Sequence, residues 1–161
     1  MNDLITIKDL VGIKSFCEEE NREIVEYLIS KFEKSSKQII KIKDPITEKN
    51  NLIIGVNTLL KNLDNAIILN GHMDTVVANE EEYLTSPYEA RIEGGKVYGL
   101  GIIDMKCFFA SIIDNLDSLA KIKSPLVVCI TCDEETCFRG VNEICNELRK
   151  RNITPRYTIV G

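Results

Sequence analysis

"AIILNGHMDTV", Ala66–Val76, is the stretch on which the reading of this chain turns. Its run of aliphatics, "AIIL", reads as a buried strand. The far end of that strand carries His72, the only histidine among 161 residues, with Asp74 two positions on. A strand that delivers polar side chains at its carboxyl end is a device of open α/β sheets, where functional groups collect at that edge.

Working outward, "SPLVVCIT" (Ser124–Thr131) is a continuous apolar run of the kind buried on both faces, and "RYTIVG" (Arg156–Gly161) starts another strand. "QIIKIK" (Gln38–Lys43) and "NLIIGV" (Asn51–Val56) are β-rich, and a polar loop at Lys61–Asn65 leads into Ala66. "ARIEGGKVYG" reads as a hairpin turning at Gly94–Gly95. Helical spacing places one helix over Glu18–Lys34, with Ile24, Val25, Leu28 and Phe32 as its apolar stripe and Glu18–Glu20 suiting the positive end of its dipole. A second spans Met105–Ala120 through Met105, Phe108, Phe109, Ile112, Ile113, Leu116 and Leu119. A third carries Phe138, Val141, Ile144, Cys145 and Leu148. Alternating strands and helices imply an α/β layered domain with helices on a largely parallel sheet.

The length suits one domain with a real core. A net charge of −5 offers no basic face for phosphates, which argues against nucleic acid as a partner. No apolar run reaches the 18 residues of a membrane span, and the N-terminus has no signal-peptide core, so the expected compartment is the cytoplasm. The six cysteines are then expected to be reduced. Cys129 and Cys132 form a C-x-x-C pair on a strand, where residues three apart face opposite ways and the sulfurs do not converge.

Three acidic clusters sit at strand or helix ends. In "GHMDT", a neutral His72 would be a good zinc ligand, and Asp74 could fix its tautomer; a strand-capping His beside a turn-forming Asp reads equally simply. In "YGLGIIDMK" (Tyr98–Lys106), Asp104 is either an N-cap or a metal ligand at a helix start. The G-x-G there does not open a dinucleotide fingerprint, since Asp104 occupies the place of the third Gly. In "TCDEET" (Thr131–Thr136), three carboxylates leave a very apolar strand, as a solvated turn or as a ligand with a general base beside it. One imidazole with several carboxylates is a donor set for a bridged zinc pair.

In order, "GHMDTV", "GKVYGLGIIDMK" and "TCDEET" resemble the co-catalytic zinc family of aminoacylases, deacetylases and glutamate-type carboxypeptidases, and "YGLG..DMK.FFA" is most similar to its acetylornithine deacetylases. The resemblance implies a three-layer αβα zinc-exopeptidase-like catalytic domain. It implies two Zn2+, or Co2+, held by His72, Asp104 and Glu135, with Asp104 bridging. Glu134 would be the general base and Asp74 would orient His72. The implied reaction removes the acetyl group from N2-acetylornithine, a small-molecule N-acyl amino acid of arginine synthesis. Succinyl-diaminopimelate desuccinylase and dipeptidase are the alternatives within the family, and a non-catalytic truncated remnant is the alternative outside it.

Two departures from the family stand out. Cys107 replaces the Gly that usually follows "DMK", a small residue that a helix start is expected to tolerate. The family's acidic ligand directly after "IVG", its distant second His and the domain that dimerises it have no counterpart within Met1–Gly161. Residues 1–161 are therefore expected to be the N-terminal portion of the catalytic domain of a homodimeric enzyme, inactive alone, with its last strand left uncovered.

Overall fold

The computed structural model describes residues 4–161. In chain order the elements are α1 (Ile5–Gly12), α2 (Arg22–Phe32), β1 (Gln38–Lys43), β2 (Asn50–Gly55), β3 (Leu63–His72), β4 (Arg91–Glu93), β5 (Lys96–Tyr98), α3 (Cys107–Asp114), α4 (Leu116–Leu119), β6 (Leu126–Thr131), α5 (Arg139–Lys150) and β7 (Ile153–Val160). Five strands form one sheet in the order β1-β2-β6-β3-β7. The β3–β6 and β3–β7 ladders are parallel, whereas β1–β2 and β2–β6 are antiparallel. Only β2 thus opposes the common strand direction.

At β2, β3 and β6 the sheet is covered on both faces, giving the expected three layers. On β6, Leu126, Val128 and Ile130 join the core beneath α1, α2 and α3, while Val127 and Cys129 join a second core with Ile144 of α5. That division explains why β6 is buried at every position and apolar up to Thr131: neither face meets water. Fully burying each such aliphatic side chain is worth about 1.5–3 kcal/mol. The stripe Ile24, Val25, Leu28 and Phe32 is buried against the larger core as its spacing requires.

Several boundaries differ from the sequence reading. The helix expected from Glu18 begins at Arg22, because the buried Asn21 accepts the Asn50 N–H at 3.0 Å and donates to the Asn50 carbonyl at 2.7 Å. Glu18–Glu20 consequently precede the helix. The helix expected from Met105 to Ala120 starts at Cys107 and breaks at Asn115. β7 begins at Ile153 and lies at the sheet's outer edge, buried only at that first residue. Gly94 and Gly95 both have positive φ, 56° and 76°, which is what a two-residue hairpin turn needs. Among the described residues no helix is long and apolar enough to cross a membrane.

Candidate metal centre

Parallel pairing of β3 with β6 ends on the register pair His72 and Thr131. The segments that leave these two strands, Met73–Thr75 and Cys132–Thr136, therefore emerge side by side at one sheet edge. A third segment reaches the same edge. After β5 the chain makes an irregular turn, Ile102–Lys106, that sets Asp104 ahead of α3, and the Asp104–Met105 peptide is cis. Gly101 precedes the turn with φ 71°, and a Cβ there would stand 2.7 Å from the Thr75 methyl, so glycine is required on both counts.

The turn is anchored from below. The buried Lys106 ammonium donates to the Ile13 carbonyl at 2.8 Å, and burial pushes its pKa down to about 8. Met105 packs under the strand end, where its sulfur accepts the His72 N–H at 3.2 Å. The His72 ring is buried and spoken for at both nitrogens. Nδ1 lies 2.9 Å from the main-chain oxygen of Asp74, and Nε2 lies 2.8 Å from Asp104 Oδ1 and 3.8 Å from Glu134 Oε2. The Asp74 carboxylate stands further off, 3.6 Å from Nδ1, and its other oxygen accepts the Glu135 N–H at 3.1 Å. The ring's orienting bond thus comes from the Asp74 backbone, while the Asp74 side chain holds the next loop.

Charges here are crowded. Burial disfavours the charged imidazole, yet the oxygens of Asp74, Asp104 and Glu134 outweigh it and raise the His72 pKa to about 9. Burial and neighbouring carboxylates, Asp104 first among them, push Glu135 up. Asp74 is held low despite its burial by His72 and the backbone N–H groups of Glu135 and Glu134. Asp74 Oδ1 is buried with no hydrogen-bond donor. Four carboxylates around one imidazole make an unbalanced cluster, and a divalent cation is what would balance it. Ligand atoms of His72, Glu134 and Glu135 lie within 4.8 Å of one another, as a metal-holding group requires. An imidazole nitrogen with carboxylate oxygens is also the right donor chemistry for zinc or cobalt.

All five residues singled out in the sequence, His72, Asp74, Asp104, Glu134 and Glu135, are therefore brought to one place. Asp104 is the most exposed of them. Beside them opens a cleft of about 740 Å³, with Tyr83, Leu84, Tyr98 and Ile103 among its walls and Asp104 and Glu135 at its edge.

A family model described as Peptidase family M20/M25/M40 matches residues 68–161, more than half of the chain. The chain belongs to this family. M20 relatives in the curated set include the acetylornithine deacetylase of Buchnera aphidicola subsp. Acyrthosiphon pisum (strain Tuc7), 28% identical over 160 residues that make up 98% of this chain and 40% of that protein. The acetylornithine deacetylase of Shigella sonnei (strain Ss046) is 42% identical over 97 residues, 59% of this chain and 24% of that protein. The chain spans about 40% of the length of the Buchnera relative. Among solved structures, the M20 family metallo-carboxypeptidase Sso-CP2 from Sulfolobus solfataricus superposes with a TM-score of 0.78 at 17% identity, over 99% of this chain and 37% of that one. Human carnosine dipeptidase 1 gives 0.77 at 16%, over 97% and 37%. These likenesses establish the α/β fold with its mixed sheet.

Lys49 and Asn51 had not been singled out, and Asp133 only as one of three carboxylates in "TCDEET", although all three are buried around the Cys132–Thr136 loop. No local spacing marks them, because each matters only through contacts between distant segments. Cys107, the departure from the family pattern, is exposed at the start of α3, with its sulfur 3.9 Å from the Ile103 carbonyl. All six cysteines are free thiols.

Proposed function

We propose that this chain forms the N-terminal portion of the catalytic domain of a metal-dependent amide hydrolase, and that the substrate is an N-acyl amino acid, N2-acetylornithine foremost. The carrying observation is the convergence of His72, Asp104, Glu134 and Glu135 at the carboxyl ends of β3 and β6. In this reading His72 and Glu135 would hold the two ions of a zinc or cobalt pair, and Asp104 would lie between them. When bound, the pair supplies Lewis acidity toward the amide carbonyl.

The chain's own residues do the rest. Glu134, part-exposed and 3.8 Å from His72 Nε2, takes the proton of the attacking water and returns it to the leaving amine. Asp74 holds two things at once: its backbone oxygen fixes the imidazole so that Nε2 faces the acids, and its carboxylate pins the Glu135 backbone. Ordered in this way, the donors keep one geometry before and during reaction.

The cleft favours acetylornithine over a succinylated substrate. Its single lining cation among the described residues is Arg91, whose guanidinium contacts Glu93 and stacks 4.7 Å from the Tyr98 ring. Glu82 also lines it. Such a lining attracts the ammonium of an ornithine side chain and offers an anionic succinyl group only Arg91, already paired with Glu93. The similarity to acetylornithine deacetylases supports the same choice.

Activity belongs to the whole protein, proposed to be a homodimer. Side-by-side rates on N2-acetylornithine, N-succinyl-diaminopimelate and a dipeptide test the substrate. Faster turnover of either of the latter two would replace the reading. Glu134→Gln should cut kcat at least a hundredfold while leaving metal content unchanged. Equal zinc uptake by wild type and His72→Ala would sink the metal assignment and favour a non-catalytic role.

A further inference from the structure

The loop that carries Glu134 and Glu135 begins with a residue in an unusual conformation. Asp133 has φ 60°, in the left-handed region that few residues other than glycine enter, although Asp tolerates it better than most. Its backbone oxygen accepts the N–H groups of Cys137, at 3.1 Å, and Phe138, at 2.8 Å, so this one residue closes the whole turn. Its side chain is 2% exposed and is held by the β1–β2 turn. There Lys49 Nζ meets Asp133 Oδ1 at 2.5 Å, and Thr47 Oγ1 donates to Oδ2 at 3.3 Å. The Lys49 ammonium, itself 9% exposed on its side chain, also donates to the Cys17 carbonyl.

The partners of Asp133 come from the β1–β2 turn, and that turn is rigid in its own right. Asp44 is fully buried and accepts the N–H groups of Ile46 and Thr47, each at 2.8 Å. Arg139, at the start of α5 just beyond the acidic loop, sits 3.3 Å from the other Asp44 oxygen. Next along β2, Asn51 accepts the Cys132 N–H at 2.9 Å. The acidic loop is thus gripped at Cys132, Asp133 and Arg139 from one side, and at the Glu135 N–H by Asp74 from the other.

A buried ion pair seldom justifies itself by stability, since desolvating both charges offsets most of the attraction; what it does provide is a fixed geometry. The geometry points to Lys49 as a positioning residue: through Asp133 it fixes the left-handed backbone that aims Glu134 and Glu135 at His72. This rests on the metal-site reading above, and adds to it a residue that touches neither metal nor substrate.

The test uses the full chain and reads metal binding. Zinc affinity is measured by competition with a chromophoric chelator, and the visible absorption of the cobalt-loaded protein reports the ligand geometry. Lys49→Met should weaken zinc binding at least tenfold and change the cobalt band, with Lys49→Arg restoring most of both. Asp133→Asn should have the same effect, and the double variant should be no worse than either single one. Thr47→Val, which removes only the weaker bond to Asp133, should weaken zinc two- to fivefold with an unchanged thermal midpoint. A folded Lys49→Met with wild-type zinc affinity and cobalt spectrum would overturn the proposal. So would a Lys49→Met that fails to fold alongside a Thr47→Val that binds zinc normally, because the pair would then serve stability alone. His72→Ala separates the two readings. If it leaves zinc binding intact, the metal centre itself is wrong; if it abolishes binding while Lys49 variants do not, only the positioning role fails.

Discussion

His72 Nδ1 faces the main-chain oxygen of Asp74, two residues further along the same chain, at 2.9 Å. A backbone carbonyl can only accept, so Nδ1 must carry a proton, and Nε2, which faces Asp104 Oδ1 at 2.8 Å, is the nitrogen a metal would bind in place of that contact. The bond does not depend on the side chain at position 74. Asp74→Asn should therefore leave the tautomer unchanged, while removing the charge at 3.6 Å that helps hold the ring's pKa up. Nitrogen-15 NMR of the imidazole checks both outcomes. Asp74→Ala differs, because it strips the Glu135 N–H of its acceptor and should cost about 1–3 kcal/mol.

Without metal, stability should depend on pH through His72. Its folded pKa of about 9 lies above its usual 6.5, so the charged ring favours the folded state. That contribution is complete below pH 6.5 and fades as pH rises through about 9, a difference of roughly 3 kcal/mol. Asp74 acts in the opposite sense: held below its usual range, it contributes above that range and is lost in acid. Thermal midpoints of the metal-free chain should fall between pH 6.5 and 9, and His72→Ala should flatten that limb. Zinc affinity should rise across the same window, since the metal and the proton compete for Nε2.

Gly140 lies in the first turn of α5 against the acidic loop, where a Cβ would collide with Asn51 Oδ1 and the Cys132 carbonyl oxygen and approach the Cys132 nitrogen to 2.8 Å. Gly140→Ala must push these groups apart and break the Asn51–Cys132 bond. We expect a loss of about 1–3 kcal/mol in urea unfolding, accompanied by weaker zinc binding. Stability lost without any change in zinc affinity would mean the loop tolerates the shift.

Thiol reactivity should follow burial. Cys107 and Cys137 are exposed and should react with a disulfide reagent in the native state, whereas Cys129 and Cys132, buried and with pKa values pushed up to about 12, should react only on unfolding. Cys107→Gly and Cys107→Ala separate crowding from helix propensity. With its side chain in solvent, the alanine variant should stay within about 0.5 kcal/mol of wild type, and metal affinity should not move in either.

How much of this was readable in advance depends on the range over which each signal acts. Ala66–His72 and Leu126–Thr131 were legible as strands because continuous aliphatic runs reflect burial on both faces, and the candidate residues His72, Asp74, Glu134 and Glu135 were legible because they end or directly follow those strands. α1 was not, since "ITIKDLVG" is short and its β-branched residues speak for a strand as much as for a helix. The start of α2 was misplaced because Asn21 is fixed by Asn50, 29 residues away. Met105 fits the helical spacing of α3 yet sits at φ −141° in the turn before it, buried for the sake of His72 rather than of the helix. Lys49 and Asp133 lie 84 residues apart, so their pairing left no local trace, although Asp133 itself stood in the acidic run.

The register that sets His72 opposite Thr131 also governs when the site comes into being. Residues 72 and 135 are joined by a long excursion through the hairpin, α3 and α4, and neither strand end carries a complete set of ligands. Closing that loop is slow compared with forming the local helices, because its entropy must be spent before any contact between β3 and β6 returns it. On the metal-site reading proposed above, an ion would find little to grip on a collapsing chain and its capture would follow the zipping of the central ladder. In a refolding experiment, cobalt colour would act as a late clock, developing only after the helical signal has already recovered.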